Sequence, residues 1–170
     1  MAEHVKLYEY RGIVYRGDSR RPDQIRSAGG FKSQNDLTRP ENLLEAQGLG
    51  TGIGASGRSG VSAAKQMAGA LGYCHQGGTG YVYIIDTNRL PASENAYDMG
   101  AISVNNGYRQ HDESGGEVNV TNIPVEAIIG SIRIRNYDND IPQDEVRKDQ
   151  GESYIRAQIG RSTAMSISLF

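Results

Sequence analysis

The chain has little of what marks several common protein classes. It contains one cysteine, Cys74, among 170 residues, so no disulfide can form within it. Tryptophan is absent and phenylalanine occurs twice, whereas tyrosine occurs 10 times. No apolar run approaches the ~20 residues that a helix needs to cross a bilayer, and the polar residues 1–6 predict no signal peptide in this chain. A disulfide-stabilised scaffold is therefore excluded, and no membrane partner is predicted.

The charge balance bears on nucleic-acid binding. Eighteen basic and 20 acidic residues give a net charge of −2, so there is no broad basic excess to bind a nucleic-acid backbone, although a locally basic cleft is still possible. The length predicts one domain, or one domain with a tail. Glycine is frequent, with 22 residues, and the apolar residues fall in short Val/Ile/Tyr runs. This combination favours strands joined by many turns.

Local patterns predict a mixture of strands and short helices. Pro22 in a first turn and Gly29-Gly30 at the end frame one helix, and an apolar stripe at helical spacing predicts the best helix over 61–71. The uniformly apolar or aromatic run 81–85 predicts a central strand. Further segments are predicted as strands at 5–16, 117–120 and 130–135, a helix at 40–47, a turn at 124–129 and an edge strand at 165–170. The fold class is therefore α+β.

The most informative stretch runs from Tyr15 to Pro22 (Tyr-Arg-Gly-Asp-Ser-Arg-Arg-Pro). A β-prone run ends at Arg16, and the chain then turns at a basic segment that contains proline. An arginine at a strand end is a fixed cation, because its guanidinium stays charged and presents a planar fork of donors. That fork suits a diphosphate or a carboxylate. The stretch therefore predicts an anionic ligand near Arg16.

This stretch resembles the opening motif of the mono-ADP-ribosyltransferase toxins of the cholera and pertussis class. Those toxins begin with a strand that ends in Tyr-Arg, followed by x-Asp-Ser-Arg-x-Pro-x-x-Ile and then Gly-Phe or Gly-Gly. The nine matching positions here are Tyr15, Arg16, Asp18, Ser19, Arg20, Pro22, Ile25, Gly29 and Gly30. The alternative interpretation is an ordinary strand with a solvated basic turn after it. A fixed register of nine positions favours the family over that alternative.

The second motif of the family is a Ser-Thr-Ser-like strand, then a helix, a loop and a strand of the form Tyr-Ile-Tyr-x-Ile. The loop at 77–80 and the strand at 81–85 agree in order and spacing. Since 61–71 is predicted as the helix, the motif falls on Ala55-Ser56-Gly57, with Ser56 and Ser59 as the candidate hydroxyls. The resemblance implies that this region shapes the nicotinamide pocket and orients a catalytic glutamate.

The third motif is a Glu or Gln, one intervening residue, and the catalytic glutamate at the start of a strand. Glu117 takes the place of the catalytic residue, and Gly115 stands where the first Glu or Gln belongs. In the family that upstream residue contacts the acceptor, so Gly115 and the nearby Glu113 form the predicted acceptor loop, with Glu113 as a possible substitute. The alternative for Glu117 is a solvated carboxylate at a strand start.

The resemblance implies roles for the remaining site residues. Arg16 would hold the diphosphate or the adenine ribose of NAD+, together with Gly17, Asp18 and Arg20; for Arg20 the alternative is that it only pairs with Asp18. Ser56 would join Arg16 and Glu117 in catalysis, and Ser56 and Ser59 would contact NAD+. No metal is expected, because the three histidines have no zinc-ligand spacing.

The implied protein is an NAD+-dependent mono-ADP-ribosyltransferase toxin or effector. NAD+ is its substrate, and the acceptor is macromolecular, with a protein as the first expectation and a nucleic acid as the alternative. The expected fold is a split mixed or antiparallel β-sandwich with peripheral helices around an NAD cleft, with residues 1–135 as the core and 136–170 as a polar loop and tail on the same domain. The protein would be secreted or injected and act in the target-cell cytoplasm, with a possible cognate immunity or inhibitor protein. The alternatives are an NAD+ glycohydrolase and a degenerate, non-catalytic relative that binds NAD+ or a partner.

Overall fold

The computed structural model describes residues 7–33, 60–71, 79–105, 116–135 and 167–170. Within these ranges the chain forms strands and short helices, as the α+β prediction requires. The strands are β1 (Ile13–Asp18), β2 (Gly30–Lys32), β3 (Val61–Ala64), β4 (Thr79–Asp86), β5 (Ala96–Asp98), β6 (Glu117–Val120), β7 (Asn122–Pro124), β8 (Ile128–Arg135) and β9 (Ile167–Leu169). The helices are α1 (Pro22–Ala28), α2 (Met67–Leu71) and α3 (Met99–Asn105), with 3-10 turns at Thr87–Arg89 and Val125–Ala127.

The described strands form two antiparallel sheets. The larger has the order β5-β6-β3-β1-β4-β8-β9, and the smaller pairs β2 with β7. Tyr15 and Ala64 are the single registered pair between β1 and β3 in the described residues, whereas four pairs join β3 to β6 and six join β1 to β4. The large sheet is therefore split into a three-stranded part and a four-stranded part that meet at one residue pair. The antiparallel pairing and the mixture of strands and helices confirm the predicted α+β class.

The core lies against the internal strand β4, as its uniformly apolar sequence predicted. Val82, Tyr83, Ile84 and Ile85 have no exposed surface, because β4 is flanked by β1 and β8 and covered on its faces. Tyr83 and Ile85 belong to a buried cluster with residues of β1, α1, β2 and β7, namely Val14, Ile25, Phe31 and Ile123. The small sheet and α1 therefore pack over the β1 and β4 residues beside Arg16.

Two sequence predictions were wrong. The strand predicted over 5–16 begins at Ile13 and continues to Asp18, and before it Glu9 makes an isolated bridge to Tyr97. The helix predicted over 61–71 is the strand β3 followed by a bend, with α2 starting at Met67. The small residues of β3 are compatible with the period of a helix and with that of a strand. Antiparallel pairing with β6 selects the strand. Tertiary contacts override weak local preference in this way.

Other local predictions are confirmed. Helix α1 starts at Pro22 and ends at Gly29, which has a left-handed φ of 79° and donates its backbone N–H to the Arg26 carbonyl at 3.0 Å. The 3-10 turn Val125–Ala127 and the edge strand β9 lie inside the predicted segments, whereas β8 begins two residues before the strand predicted over 130–135. The helix predicted at 40–47 lies outside the described residues. No helix in the described ranges is long and apolar enough to cross a membrane.

Candidate active site

Arg16 lies on β1 beside the split in the large sheet. Its Nη1 donates a hydrogen bond of 2.7 Å to the carbonyl oxygen of Ser62 on β3. Its guanidinium carbon is 5.0 Å from the ring centroid of Phe31, a cation–π distance. The side chain is 27% exposed. Arg16 is therefore held by β3 and by an aromatic face while part of its side chain stays accessible.

Ser62 connects Arg16 to Glu117. The Ser62 hydroxyl donates a hydrogen bond of 3.1 Å to Glu117 Oε1. The two residues lie on neighbouring strands, where Ala64 is opposite Glu117 and Ser62 is opposite Asn119. Side chains two residues apart on a strand share a face, so Ser62 and Glu117 are diagonal neighbours on one face of the sheet. The structure thus brings Arg16 and Glu117, both predicted from the sequence, to the same serine.

Ser62 was not among the candidate site residues predicted from the sequence. It was placed at the start of a helix, and the role of the serine was given to Ser56 and Ser59. Those two residues lie outside the described ranges, as do Glu113 and Gly115. A usable signal was present, because Val61-Ser62-Ala63 alternates apolar and polar residues immediately before a bend, which is the period of a strand with one buried face.

Asp18 and Arg20 form a forked ion pair at the end of β1. Arg20 Nε and Nη2 donate to the two carboxylate oxygens of Asp18 at 3.0 and 2.8 Å, and the Arg20 backbone N–H donates at 2.9 Å. Burial alone would raise the pKa of Asp18, but the hydrogen bonds from Arg20 and the charges of Arg20 and Arg16 hold that pKa below its ordinary value. Arg20 therefore makes the contact with Asp18 that was named as the alternative to phosphate binding. Gly17, which lies between Arg16 and Asp18 in the sequence, is buried.

A pocket of about 390 Å³ opens beside these residues. Three cations, Arg16, Arg20 and Lys32, contribute to its wall, and the Phe31 ring lies 5.0 Å from the Arg16 guanidinium and 5.6 Å from that of Arg20. The full lining is Arg16, Arg20, Ala28, Gly30, Phe31, Lys32, Gly60 and Val61. Phosphate oxygens suit such a set, because arginine forks bind them in two places. Lys32 was not among the residues predicted from the sequence.

Tyr83 fixes the turn that carries Arg20. Its hydroxyl donates a hydrogen bond of 2.5 Å to the Arg20 carbonyl oxygen, and its ring meets Phe31 edge to face at 5.2 Å. Burial, together with the nearby charge of Asp18, raises the pKa of the Tyr83 phenol well above its ordinary value. The hydroxyl therefore stays protonated and keeps donating. Tyr83 therefore contacts two residues of the pocket wall, Arg20 and Phe31.

A chain of hydrogen bonds fixes the rim of the pocket at Gly60. The Gly60 N–H donates to Ser33 Oγ at 2.7 Å, and the Ser33 N–H donates to Asn122 Oδ1 at 2.9 Å. The Asn122 amide in turn donates to the carboxylate of Glu94 at 3.3 Å. Because these bonds run through side chains of β7 and the segment before β5, Gly60 and Ser33 are held together beside Lys32.

No protein-family model and no curated protein matches the chain. Among solved structures it is similar to a double mutant of heat-labile enterotoxin, with 24% identity and a TM-score of 0.49 over 72% of this chain and 56% of that chain. It is also similar to an E. coli heat-labile enterotoxin with a valine-to-lysine mutation of a buried residue, with 21% identity and a TM-score of 0.44 over 72% of this chain and 69% of that one. The chain spans little more than half the length of the first structure. Similarity this distant does not identify an activity, so the function has to be inferred from the site residues.

The arrangement combines an oriented carboxylate with a cationic pocket. Glu117 is half-buried and held by a hydroxyl, and Arg16 links the same serine to the pocket wall. A fixed carboxylate stabilises positive charge that develops next to it, and fixed cations bind phosphates. Among the described residues, no three His, Cys, Asp or Glu side chains cluster in a way that would hold a metal ion.

Proposed function

We propose that the chain is a mono-ADP-ribosyltransferase that cleaves NAD+, releases nicotinamide and transfers ADP-ribose to a macromolecular acceptor, with a protein as the first candidate. The observation that carries the proposal is the hydrogen bond between Ser62 Oγ and Glu117 Oε1. Arg16, the arginine of the resembling opening motif, bonds to the carbonyl of the same serine. Arg16 of the first motif and Glu117 of the third motif therefore contact the same serine, Ser62.

Glu117 is the proposed catalytic carboxylate. When the bond between nicotinamide and the ribose C1 breaks, the electron pair leaves with nicotinamide, and positive charge develops on C1 and the ring oxygen. A carboxylate that binds the ribose 2-hydroxyl stabilises this charge mainly in the transition state, which raises the rate more than the binding. Glycosidases use carboxylates on a similar cationic transition state. The acceptor atom then bonds to C1 and loses its proton.

Ser62 is the proposed orienting residue. Its hydroxyl binds one oxygen of Glu117, so the carboxylate plane is fixed before the substrate arrives. Catalytic groups held in place beforehand need no reorganisation during the reaction. We infer that Glu117 Oε2 is the oxygen that receives the ribose hydroxyl.

The cationic pocket is the proposed site of the NAD+ diphosphate. Arg16 and Lys32 contribute to its wall, and Arg20 is fixed there by Asp18. Binding of the diphosphate at this point would place the nicotinamide ribose near Glu117, since Ser62 connects Arg16 to that carboxylate. Positioning of this kind lowers the barrier without chemistry of its own.

A second candidate function is NAD+ hydrolysis without an acceptor. The residue two before Glu117 is Gly115, which has no side chain to contact an acceptor. Water would then attack C1, and the products would be nicotinamide and free ADP-ribose. The same Arg16, Ser62 and Glu117 would serve either reaction, so the acceptor decides between them.

The proposal includes the cellular location in which the protein acts. A transferase of this type would act as a secreted or injected effector in the cytoplasm of a target cell. If the target is a rival bacterium, the producing cell would need a cognate immunity or inhibitor protein. NAD+ is the proposed substrate, and no metal is part of the proposed chemistry.

Labelled NAD+ tests the proposal. The protein is incubated with NAD+ carrying label on the adenylate, first alone and then with a cell lysate, while released nicotinamide is quantified. A labelled macromolecule together with nicotinamide release supports the transferase. Nicotinamide and free ADP-ribose without a labelled macromolecule support the hydrolase. No nicotinamide in either arm means that the chain is a non-catalytic relative, and NAD+ binding then becomes the property to measure.

A further inference from the structure

The side chain of Lys65 crosses the start of β6, one residue before Glu117. Lys65 follows β3, and its backbone N–H donates to the Gly116 carbonyl at 2.9 Å. Its Nζ reaches Asp98 Oδ2 at 2.6 Å. Asp98 ends β5, which pairs with β6 on the side away from β3. The lysine therefore bridges β3 and β5 across the strand that begins with Glu117.

Gly116 lies directly against the alkyl part of this bridge. A Cβ added at Gly116 would lie 2.9 Å from Lys65 Cδ and 3.2 Å from Lys65 Cβ and Cγ. Gly116 also has a φ of 53°, in the left-handed region that favours glycine. The Lys65 side chain therefore occupies the space that a side chain at residue 116 would need, and the Lys65 N–H binds the Gly116 carbonyl.

Asp98 is itself held by two further hydrogen bonds. Its Oδ1 accepts the backbone N–H of Ala101 at 3.1 Å, at the first turn of α3, and its own N–H donates to the Tyr8 carbonyl at 2.8 Å. The side chains of Lys65 and Asp98 are 34% and 18% exposed, so solvent screens the pair only in part. Lys65 Nζ is also 5.3 Å from the ring centroid of Tyr10.

Asp98 lies on the face of β6 opposite the reacting carboxylate. It pairs with Val118 in register, and adjacent side chains on a strand point to opposite faces. Glu117 thus meets Ser62 on one face while its neighbour Val118 faces the strand end that Lys65 reaches. By this register the ion pair supports β6 on the face opposite the Glu117 side chain.

We propose that Lys65 is a positioning residue for the reaction: its ion pair with Asp98 clamps Gly116 and so sets Glu117 against Ser62. The inference rests on the proposed NAD+ cleavage. A carboxylate that acts on a developing charge depends on placement within fractions of an ångström, whereas the diphosphate contacts of Arg16 and Arg20 do not involve this clamp. Loss of the clamp should therefore affect turnover much more than substrate binding.

Lys65→Met in the full chain is the first test, because methionine keeps much of the alkyl stem and removes the charge. We expect kcat for nicotinamide release to fall about tenfold or more, while KM for NAD+ changes less than about twofold. Lys65→Arg should restore most of kcat, because arginine again reaches Asp98 with a charge. Arg89→Met is the matched control, since it removes a cation that pairs with Asp86 at 3.7 Å outside the site, and it should leave both constants unchanged.

Amide hydrogen exchange gives a readout that does not depend on activity. The amides of Glu117 and Val118 should exchange faster in Lys65→Met, whereas those of Ile84 and Ile85 in the core should not change. If the parent releases no nicotinamide, the proposed function fails, and the exchange result alone still decides whether the clamp exists. If Lys65→Met does not fold, Asp98→Asn replaces it, because an amide oxygen can still accept the Ala101 N–H.

Three results would overturn the inference. One is a kcat within about twofold of the parent together with unchanged exchange at Glu117. Another is a rise in KM that matches the fall in kcat, which would mean general damage to the site. The third is failure of Lys65→Arg to recover activity beyond Lys65→Met.

Discussion

The guanidinium of Arg16 reaches across the split in the large sheet and donates a hydrogen bond of 2.7 Å to the carbonyl oxygen of Ser62. The strands that carry these residues share the registered pair Tyr15–Ala64, so the side-chain bond adds a link where backbone pairing is sparse. Since the Ser62 hydroxyl binds Glu117, this link fixes the proposed phosphate-binding residue relative to the proposed catalytic carboxylate. Each of the three residues can be tested by a substitution that removes one contact.

Glu117→Gln should abolish most NAD+ cleavage and leave binding nearly intact. The amide keeps the size of the side chain but removes the charge that stabilises the developing cation. We expect nicotinamide release to fall about 100-fold or more, with the NAD+ dissociation constant within a few-fold of the parent. Glu126→Gln, at an exposed position in the 3-10 turn, is the matched control. Activity of Glu117→Gln close to that of the parent would remove Glu117 from the catalytic role.

Ser62→Ala should slow cleavage without detaching Arg16. The substitution removes the hydroxyl that holds Glu117 Oε1 but keeps the backbone carbonyl that Arg16 binds. We expect kcat to fall about tenfold, the size expected when a side-chain hydrogen bond of roughly 1.4 kcal/mol is lost in the transition state. KM should change little. Ser27→Ala on the exposed side of α1 serves as the control, and equal kcat values for the two variants would contradict the orienting role.

Arg16→Lys should weaken NAD+ binding and turnover together. Lysine keeps the charge but loses the planar fork, so it cannot bind Ser62 and a phosphate at the same time in the same geometry. We expect kcat/KM to fall by about tenfold or more, with circular dichroism unchanged. Arg133→Lys, at an exposed position on β8, should behave as the parent. An unaltered KM and kcat in Arg16→Lys would favour the solvated basic turn over the binding role.

Gly30→Ala should destabilise the fold much more than Gly29→Ala. Both glycines have positive φ, 106° and 79°, but a Cβ at Gly30 would lie 2.0 Å from the Ile123 carbonyl oxygen, whereas a Cβ at Gly29 would meet only the end of the Lys32 side chain at 3.8 Å. We expect the free energy of unfolding to fall by about 1 kcal/mol for Gly29→Ala and by at least twice that, or about 2 kcal/mol, for Gly30→Ala. Urea denaturation measures both, and equal losses would show that β2 and β7 separate easily.

Asp18 should make the stability of the protein depend on acid pH. Its pKa in the folded state lies below the ordinary value, so the unfolded chain binds a proton first as the pH falls. The stabilisation is therefore fully present above the unfolded pKa of about 3.9, and it is lost as the pH falls further through the folded pKa. The stability difference between the parent and Asp18→Asn should be constant near neutral pH and shrink below about pH 4. A difference that does not change between neutral pH and this acid range would contradict the ion-pair explanation.

Sequence alone specified the elements whose signals are local. Pro22 and Gly29 framed helix α1, because proline suits a first turn and glycine adopts the left-handed conformation that ends a helix. The apolar run of β4 predicted a buried strand because no polar face interrupted it. Arg16 and Glu117 were predicted as site residues from the motifs that surround them, and they lie on β1 and β6, close to Ser62.

The tertiary structure decided what depended on pairing between distant segments. Residues 61–64 were predicted as the start of a helix, but antiparallel pairing with β6 makes them a strand, which places Ser62 beside Glu117. Lys32 lies in the pocket wall because β2 packs beside α1 and β1. Lys65 contacts Asp98 because β3, β6 and β5 are neighbours in the sheet. Such contacts join residues tens of positions apart, so local preferences do not encode them. The sequence by itself determined which residues carry charge and where the chain turns, and only the packed sheets determined which of those residues meet.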